Sequence, residues 1–212
     1  MNVDCSYYDA MFVSPHKLLG GPGSCGLLVI KKELVDLSLS PTFAGGGTVT
    51  YVNKKSQNYE ENIAARETAG TPGIIQVIRA SLAYQLRNEI GFDFIEKQKE
   101  ELYTYFTNKL KKIPNCYIYG NEKAKNIGIV SFNIGELDPY MLCDIMSKEQ
   151  GIQTRAGCSC AGPYGHDLLR LKDQIELGEK PGWLRISIHF SQTKEEIDNL
   201  LNSIKSSLKK IR

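Results

Sequence analysis

The stretch Ser14-Pro15-His16-Lys17-Leu18-Leu19-Gly20-Gly21-Pro22-Gly23-Ser24-Cys25-Gly26 constrains the fold more than any other part of this 212-residue chain. An apolar run, Ala10 to Val13, leads into it, and a second, Leu27 to Ile30, leads out. The pattern predicts a strand, a tight glycine loop and a second strand, with one lysine at the loop mouth. Glycines remove side chains that would block a close approach, so a flat ligand can sit against such a loop. Partial desolvation lowers a lysine pKa and frees its amine, so Lys17 suits Schiff-base chemistry.

Two further motifs follow in order. Glu67-Thr68-Ala69-Gly70-Thr71-Pro72-Gly73 places a threonine in a Gly-Thr-Pro turn that opens a helix. Thr71 there reads as a helix N-cap, a position whose free amides favour an anion. Arg155-Ala156-Gly157-Cys158-Ser159-Cys160-Ala161-Gly162-Pro163 joins an anion clamp to a loop thiol. A loop cysteine beside arginines is expected to carry some thiolate character.

The ordered set resembles the class V family of pyridoxal-phosphate enzymes, most closely its cysteine desulfurase and selenocysteine lyase branch. The resemblance covers nearly the whole chain. It implies pyridoxal 5'-phosphate as cofactor, with Lys17 as the catalytic lysine that carries it. It implies that Ser14 and His16 bond the cofactor phosphate, and that Thr71 reaches the phosphate in a partner subunit. Arg185, in Trp183-Leu184-Arg185-Ile186-Ser187, matches the arginine that forks onto a substrate carboxylate. Arg155 is a second basic group for that anion. Cys160 aligns with the desulfurase nucleophile. Cys158 stands where many desulfurases carry histidine, which admits a Cys158–Cys160 redox pair or a resolving thiol. The bland alternatives are a turn histidine at 16, a structural ion pair at Arg185 and packed thiols at 158 and 160. A metal site from Cys158, Cys160 and His166 lacks an evident fourth ligand, so no metal is expected.

Implied partners are an amino-acid substrate, a second copy in a homodimer with a shared active site, and a sulfur-acceptor protein. A class V aminotransferase, or a kynureninase-like lyase in which Cys160 is idle, is the rival within the family. Complete family members carry a long segment ahead of the lysine strand, with an aspartate for the pyridine nitrogen. This chain starts almost at that strand, so the resemblance implies the carboxy-terminal portion of a larger enzyme. Asp4 and Asp9 lie too close to Lys17 to take the aspartate's role. A non-catalytic fragment that dimerises or binds a partner is the rival from another class.

The net charge of +2 gives no case for nucleic acid or an acidic membrane surface. No apolar run approaches the roughly 20 residues that span a bilayer. The 6 cysteines, at 5, 25, 116, 143, 158 and 160, are scattered, which favours reduced thiols in an intracellular, cytoplasmic protein over a disulfide scaffold. Cys116 and Cys143 read as small core residues.

Strands are expected at 7–13, 25–31, 116–119, 127–132, 152–154 and 183–189. Helices are expected at 74–90, with Ile74, Ile75, Ile78, Leu82 and Leu86 near one face, at 93–112, with Ile95, Leu102, Phe106 and Leu110 inward, at 139–150 and at 193–211. Thr193 followed by Glu196 fits a capping box. Segments 38–52 and 156–182 read as loops, the second with one helical turn near Leu168, and 57–66 is ambiguous. The expected fold class is α/β plus α+β. In family terms this is a fold-type I pyridoxal-phosphate transferase, with a partial large domain followed by a small C-terminal α+β domain with an antiparallel sheet. The expected parts are a cofactor-domain edge at 1–72, connecting helices at 73–112 and the small domain at 113–212.

Overall fold

The computed structural model describes residues 7–121, 123–171 and 180–211. Asp4, Cys5 and residues 172–179 of the expected 156–182 loop lie outside the described residues. The chain divides into two compact units, Met1–Gly91 and Phe92–Arg212. The segment expected as a connector, 73–112, is shared between them, because its two helices part at Gly91, where φ is +88°.

In the first unit, β1 (Ala10–Val13) pairs antiparallel with β2 (Leu27–Ile30). Asp9 pairs with Lys31 at 2.9 Å across the open end of this ribbon. A second ribbon joins β3 (Val49–Val52) to β4 (Gln57–Tyr59), and α1 (Ile63–Arg66) follows, capped by Asn62. The loop expectation for 38–52 therefore fails at its end, where Val49-Thr50-Tyr51-Val52 has the β-branched and aromatic character of a strand. Buried Arg66 donates to the carbonyls of Leu37 and Leu39 and lies 5.0 Å from the Tyr59 ring centroid.

Helix α2 (Ile74–Ile90) keeps the expected bounds but not the expected inward face. Ile74, Ile75, Ile78 and Leu82 are exposed, and the buried side chains are Ala80 and Ala83. The small residues win because the glycine loop comes close on that side. Cys25 N–H donates to Gln76 O (3.3 Å), Arg79 donates to Pro22 O (3.1 Å), and a Cβ on Gly20 would meet Leu86 at 3.7 Å.

In the second unit, β5 (Cys116–Tyr119), β6 (Ile129–Ile134), β7 (Arg155–Gly157) and β8 (Trp183–Ser187) form one antiparallel sheet in the order β5-β6-β8-β7. Alternation puts Val130, Phe132, Ile134, Leu184 and Ile186 into the core and leaves Ser131, Asn133 and Arg185 on the opposite face. The core is completed by α3 (Phe92–Leu110), α4 (Pro139–Gln150) and α6 (Lys194–Ile211), through Leu102, Phe106, Leu110, Leu142, Met146, Ile197, Leu201 and Ile204. The four residues expected inward on α3 are all buried. Cys116 and Cys143 pack against this core as expected, and burial pushes the Cys116 thiol up to about 11. The capping box forms: Thr193 N–H donates to Glu196 (2.7 Å) and Glu196 N–H to Thr193 Oγ1 (3.2 Å). No helix among the described residues is long and apolar enough to cross a membrane.

Two expectations in this unit are corrected. The strand placed at 152–154 lies at Arg155–Gly157, because only those residues face the edge of β8; Ile152 instead packs on the core. The 156–182 loop contains a helix, α5 (Gly162–Leu169), ended by Arg170 in a left-handed conformation. Pro163 sits in its first turn, where the missing N–H costs nothing.

Candidate active site

The loop after β1 folds as one 3₁₀ turn, Pro15–Lys17, with Lys17 N–H bonded to Ser14 O at 3.1 Å. Pro15 is buried and anchors the turn, while Ser14, His16 and Lys17 are exposed. A Cβ on Gly21 would sit 1.9 Å from Pro15 O, so only glycine permits this close return of the chain. The three exposed side chains have no hydrogen-bond or ion-pair partner among the described residues. Pyridoxal 5'-phosphate calls for a primary amine for its aldehyde and hydroxyl or ring N–H donors for its phosphate. The donor set at 14, 16 and 17, on a loop closed by Gly21 and braced by α2, fits that group.

Thr71 does not cap α2. The cap is Gly73, with no side-chain cap bond, and the Thr71 hydroxyl is exposed. Its turn meets the triple glycine instead. Gly70 N–H donates to Gly46 O at 2.8 Å, and a Cβ on Gly45 would lie 3.2 Å from that of Ala69. Thr48, fully buried, holds this loop by donating to Gly45 O (2.7 Å) and accepting from Gly45 N–H (3.1 Å). The structure thus joins Gly45–Gly47 to Thr71's turn. Among the described residues it shows no hydrogen bond between that turn and Lys17.

In the second unit, register places Arg155 directly opposite Arg185 at the edge of the sheet. Like charges across a strand pair repel, and an anion held between them relieves the repulsion. Arg185 has no ion-pair partner among the described residues, and its Nε is buried without a hydrogen-bond partner. The structural ion-pair alternative for Arg185 therefore finds no support there. Arg155 Nη2 donates to Cys160 Sγ at 3.1 Å. Cys160 is exposed, and Cys158 is half-buried.

The thiols occupy a tight turn, closed by Ala161 N–H to Cys158 O at 2.9 Å. Its central residues, Ser159 (φ 53°) and Cys160 (φ 66°), are both left-handed. For side chains other than glycine this costs about 1–2 kcal/mol each, the kind of local strain that gathers at functional sites. The turn is braced from below. Cys158 Sγ donates to Pro181 O (3.3 Å), which also accepts from Tyr140 Oη (3.5 Å). Burial, then Cys158 and Asp138, raise the Tyr140 pKa, so its hydroxyl stays protonated. A Cβ on Gly182 would fall 2.4 Å from Gly157 Cα, and one on Gly165 would fall 2.7 Å from Cys158 Sγ. Sequence reasoning missed Tyr140 and the Pro181 carbonyl, since neither belongs to a local motif. Asn133, which donates to Gly182 O at 3.0 Å, was missed for the same reason. No cluster of three metal-ligating side chains occurs among the described residues.

Lys17 and Thr71 belong to the first unit, and Arg155, Cys160 and Arg185 to the second. A probable cysteine desulfurase of Staphylococcus aureus is 31% identical over 209 residues, which are 98% of this chain and 47% of that protein. One from Staphylococcus epidermidis is 28% identical over 206 residues, 97% of this chain and 46% of that protein. The chain thus spans about half the length of the curated relatives it matches. Among solved structures, the apo cysteine desulfurase of Thermococcus onnurineus matches with a TM-score of 0.81 at 29% identity, covering 95% of this chain and 47% of that one. The cysteine desulfurase CsdA of Escherichia coli matches at 0.80 and 26%, covering 95% and 46%. The α/β plus α+β fold expected from the motifs is therefore the fold found. With the aminotransferase class-V family matching residues 1–200, the lysine loop and the Arg155–Cys160 turn take their place in a known architecture, and the chain belongs to the class-V aminotransferase family.

Proposed function

We propose that this chain is the carboxy-terminal part of a pyridoxal-phosphate-dependent cysteine desulfurase. The reaction converts L-cysteine to L-alanine and leaves the sulfur as a persulfide on Cys160. The observation that carries the reading is the hydrogen bond from Arg155 to the exposed Cys160 sulfur, on a strand whose residue 155 faces Arg185.

The bound cofactor supplies an electron sink for bonds at the substrate α-carbon. Lys17 Nζ holds the cofactor aldehyde and moves the α-proton. Ser14 and His16 take its phosphate, and Thr71, presented beside the Gly45–Gly47 loop, reaches the phosphate of a second copy. Arg185 binds the α-carboxylate through paired N–H donors, and Arg155 draws the anion to the same edge. Cys160 Sγ attacks the substrate sulfur, with the Arg155 guanidinium meeting the negative charge on the attacking sulfur. A cytoplasmic setting keeps that thiol reduced.

Cys160→Ala in the complete protein is the test. Sulfide release in the presence of a reductant should fall about 10³-fold or more. If it survives, Cys160 is idle, and an aminotransferase or kynureninase-like reaction takes its place. The exposed aliphatic face of α2 (Ile74, Ile75, Ile78, Leu82) favours a second reading for the isolated chain, association with a second copy or a partner without catalysis. Sedimentation velocity of the chain and its Ile75→Asp, Ile78→Asp variant tests self-association through that face, and colour at about 410–430 nm after cofactor addition marks the catalytic reading. Association lost in the variant, with no colour, supports the second reading, and a wild-type monomer removes self-association from it.

A further inference from the structure

We propose that Cys158 is a resolving thiol: once Cys160 carries a second sulfur atom, Cys158 displaces that atom as hydrosulfide and closes a Cys158–Cys160 disulfide. The inference rests on the reading of Cys160 as a sulfur acceptor and adds the fate of the sulfur.

Both thiols are free and belong to one turn, and Cys158 is the residue that closes it. Two residues of extended chain span at most about 7 Å. A turn shortens that span into the roughly 4.4–6.8 Å Cα separation that disulfides accept. The left-handed backbone at Ser159 and Cys160 is already strained, so rearranging this turn gives up less than rearranging a relaxed one. Cys158 is not a core cysteine of the kind seen at Cys116. Its thiol donates to a carbonyl, Pro181 O at 3.3 Å, and a change of its side-chain torsion exchanges that acceptor for the Cys160 sulfur. The glycine at 165 leaves the space in which the waiting thiol sits.

The step balances. Cys158 Sγ attacks Cys160 Sγ, and the bond from Cys160 Sγ to the outer sulfur breaks. The electron pair leaves with the outer sulfur, which departs as HS⁻ with the persulfide's own proton, and the Cys158 proton passes to solvent. The outer sulfur is reduced to sulfide and Cys158 Sγ is oxidised, while Cys160 Sγ keeps the disulfide level it already had in the persulfide. The Arg155 guanidinium, 3.1 Å from Cys160 Sγ, meets the negative charge that collects on the leaving sulfur. The next turnover requires a dithiol reductant to reopen the bridge. The product is then free hydrosulfide, not a sulfur atom passed on as persulfide.

The test loads Cys160 without the cofactor reaction. The chain is treated with inorganic polysulfide in the absence of thiols and alkylated. The tryptic peptide from Ala156 to Arg170, which contains only these two cysteines, is then weighed. The wild-type peptide should lack two hydrogens and carry no alkyl group, with hydrosulfide released. Cys158→Ser, and equally Cys158→Ala, should keep one added sulfur on Cys160 roughly tenfold longer or more. A wild-type peptide that holds the added sulfur as long as the variants, or that never takes it up, overturns the proposal. Because substrate cysteine is absent, this result and the Cys160→Ala activity result fail independently.

Discussion

The two units differ in how they hide their apolar side chains. Residues 92–212 bury Phe106, Phe132, Leu110, Met146, Ile197 and Ile204 almost completely, between one sheet face and three helices. Among the described residues of 1–91, the buried hydrophobics are Ala80 and Ala83, while Phe12, Leu28, Ile74, Ile75, Ile78 and Leu82 face solvent. The second unit closes its own core. The first holds its loops by polar and backbone contacts, such as Arg66 on the Leu37 and Leu39 carbonyls and Thr48 on Gly45, and leaves its aliphatic surface open. Contiguous apolar surface of this kind is characteristic of interaction faces. The lysine loop therefore sits on the half with the open aliphatic surface, and the thiol turn on the half with the closed core.

The sharpest break of this contrast is a pair of truncations. Phe106→Ala should cost about 3–5 kcal/mol, as expected for emptying a fully buried aromatic site. Ile78→Ala should shift stability by no more than about 0.5 kcal/mol, because its side chain is already in water. Urea titrations followed by far-UV circular dichroism read both. Equal losses would mean that α2 is packed in solution after all.

Thiol reactivity probes the same contrast inside the second unit. Burial raises Cys116 to about 11, whereas Cys160 is exposed on its turn. Near pH 8, alkylation of Cys116 should lag that of Cys160 by about a hundredfold or more, since only the thiolate reacts. Peptide mapping after timed iodoacetamide pulses measures it. A Cys116 that keeps pace would show the core opening as readily as the loop.

These contrasts mark what the sequence could reveal. Helices Ile74–Ile90 and Pro139–Gln150 matched their expected bounds, because long periodic runs with clear stops carry their own signal. The buried side of α2 was not legible. Its isoleucines look inward by periodicity, but which side is covered depends on where the glycine loop lands. Motif order exposed Lys17, Arg155 and Cys160 as candidates. The facing of Arg155 and Arg185 is a register, fixed by strand pairing between residues 30 positions apart, and no local pattern records it. Thr71 looked like a cap, yet the cap falls two residues later, at Gly73, so the hydroxyl is left for other use. Helix α5 was hidden because Gly162 and Pro163 read as loop punctuation, though proline in a first turn is compatible with a helix.

A smaller effect tests whether the second unit's stability also rests on its helix ends. Thr193→Ala removes the acceptor for Glu196 N–H and should cost about 1 kcal/mol. Thr193→Ser should recover most of it, and the urea midpoints of the three proteins decide. No loss in the alanine variant would mean that the closed core alone holds α6 in place.

The smallest expected effect lies at His189, just past β8. Ser191 N–H donates to His189 Nδ1 at 3.3 Å, and Ser191 Oγ lies 2.7 Å from the same nitrogen. A nitrogen that accepts from a backbone N–H carries no proton, so the folded unit favours the neutral ring. Burial, and then the Lys99 charge, hold its pKa below the ordinary 6.5. The unfolded chain therefore binds this proton more readily than the folded one. The contribution is fully present above about pH 6.5, shrinks as pH falls from there toward the folded pKa, and is flat below it. Because the ring is partly exposed, the slope should be shallower than the Thr193 loss is large. His189→Gln keeps a polar side chain but cannot titrate. Urea midpoints at about pH 7.5 and about pH 5 should fall less for the variant than for the wild type. Equal falls would place the acid sensitivity elsewhere and leave the end of β8 indifferent to the charge on that ring.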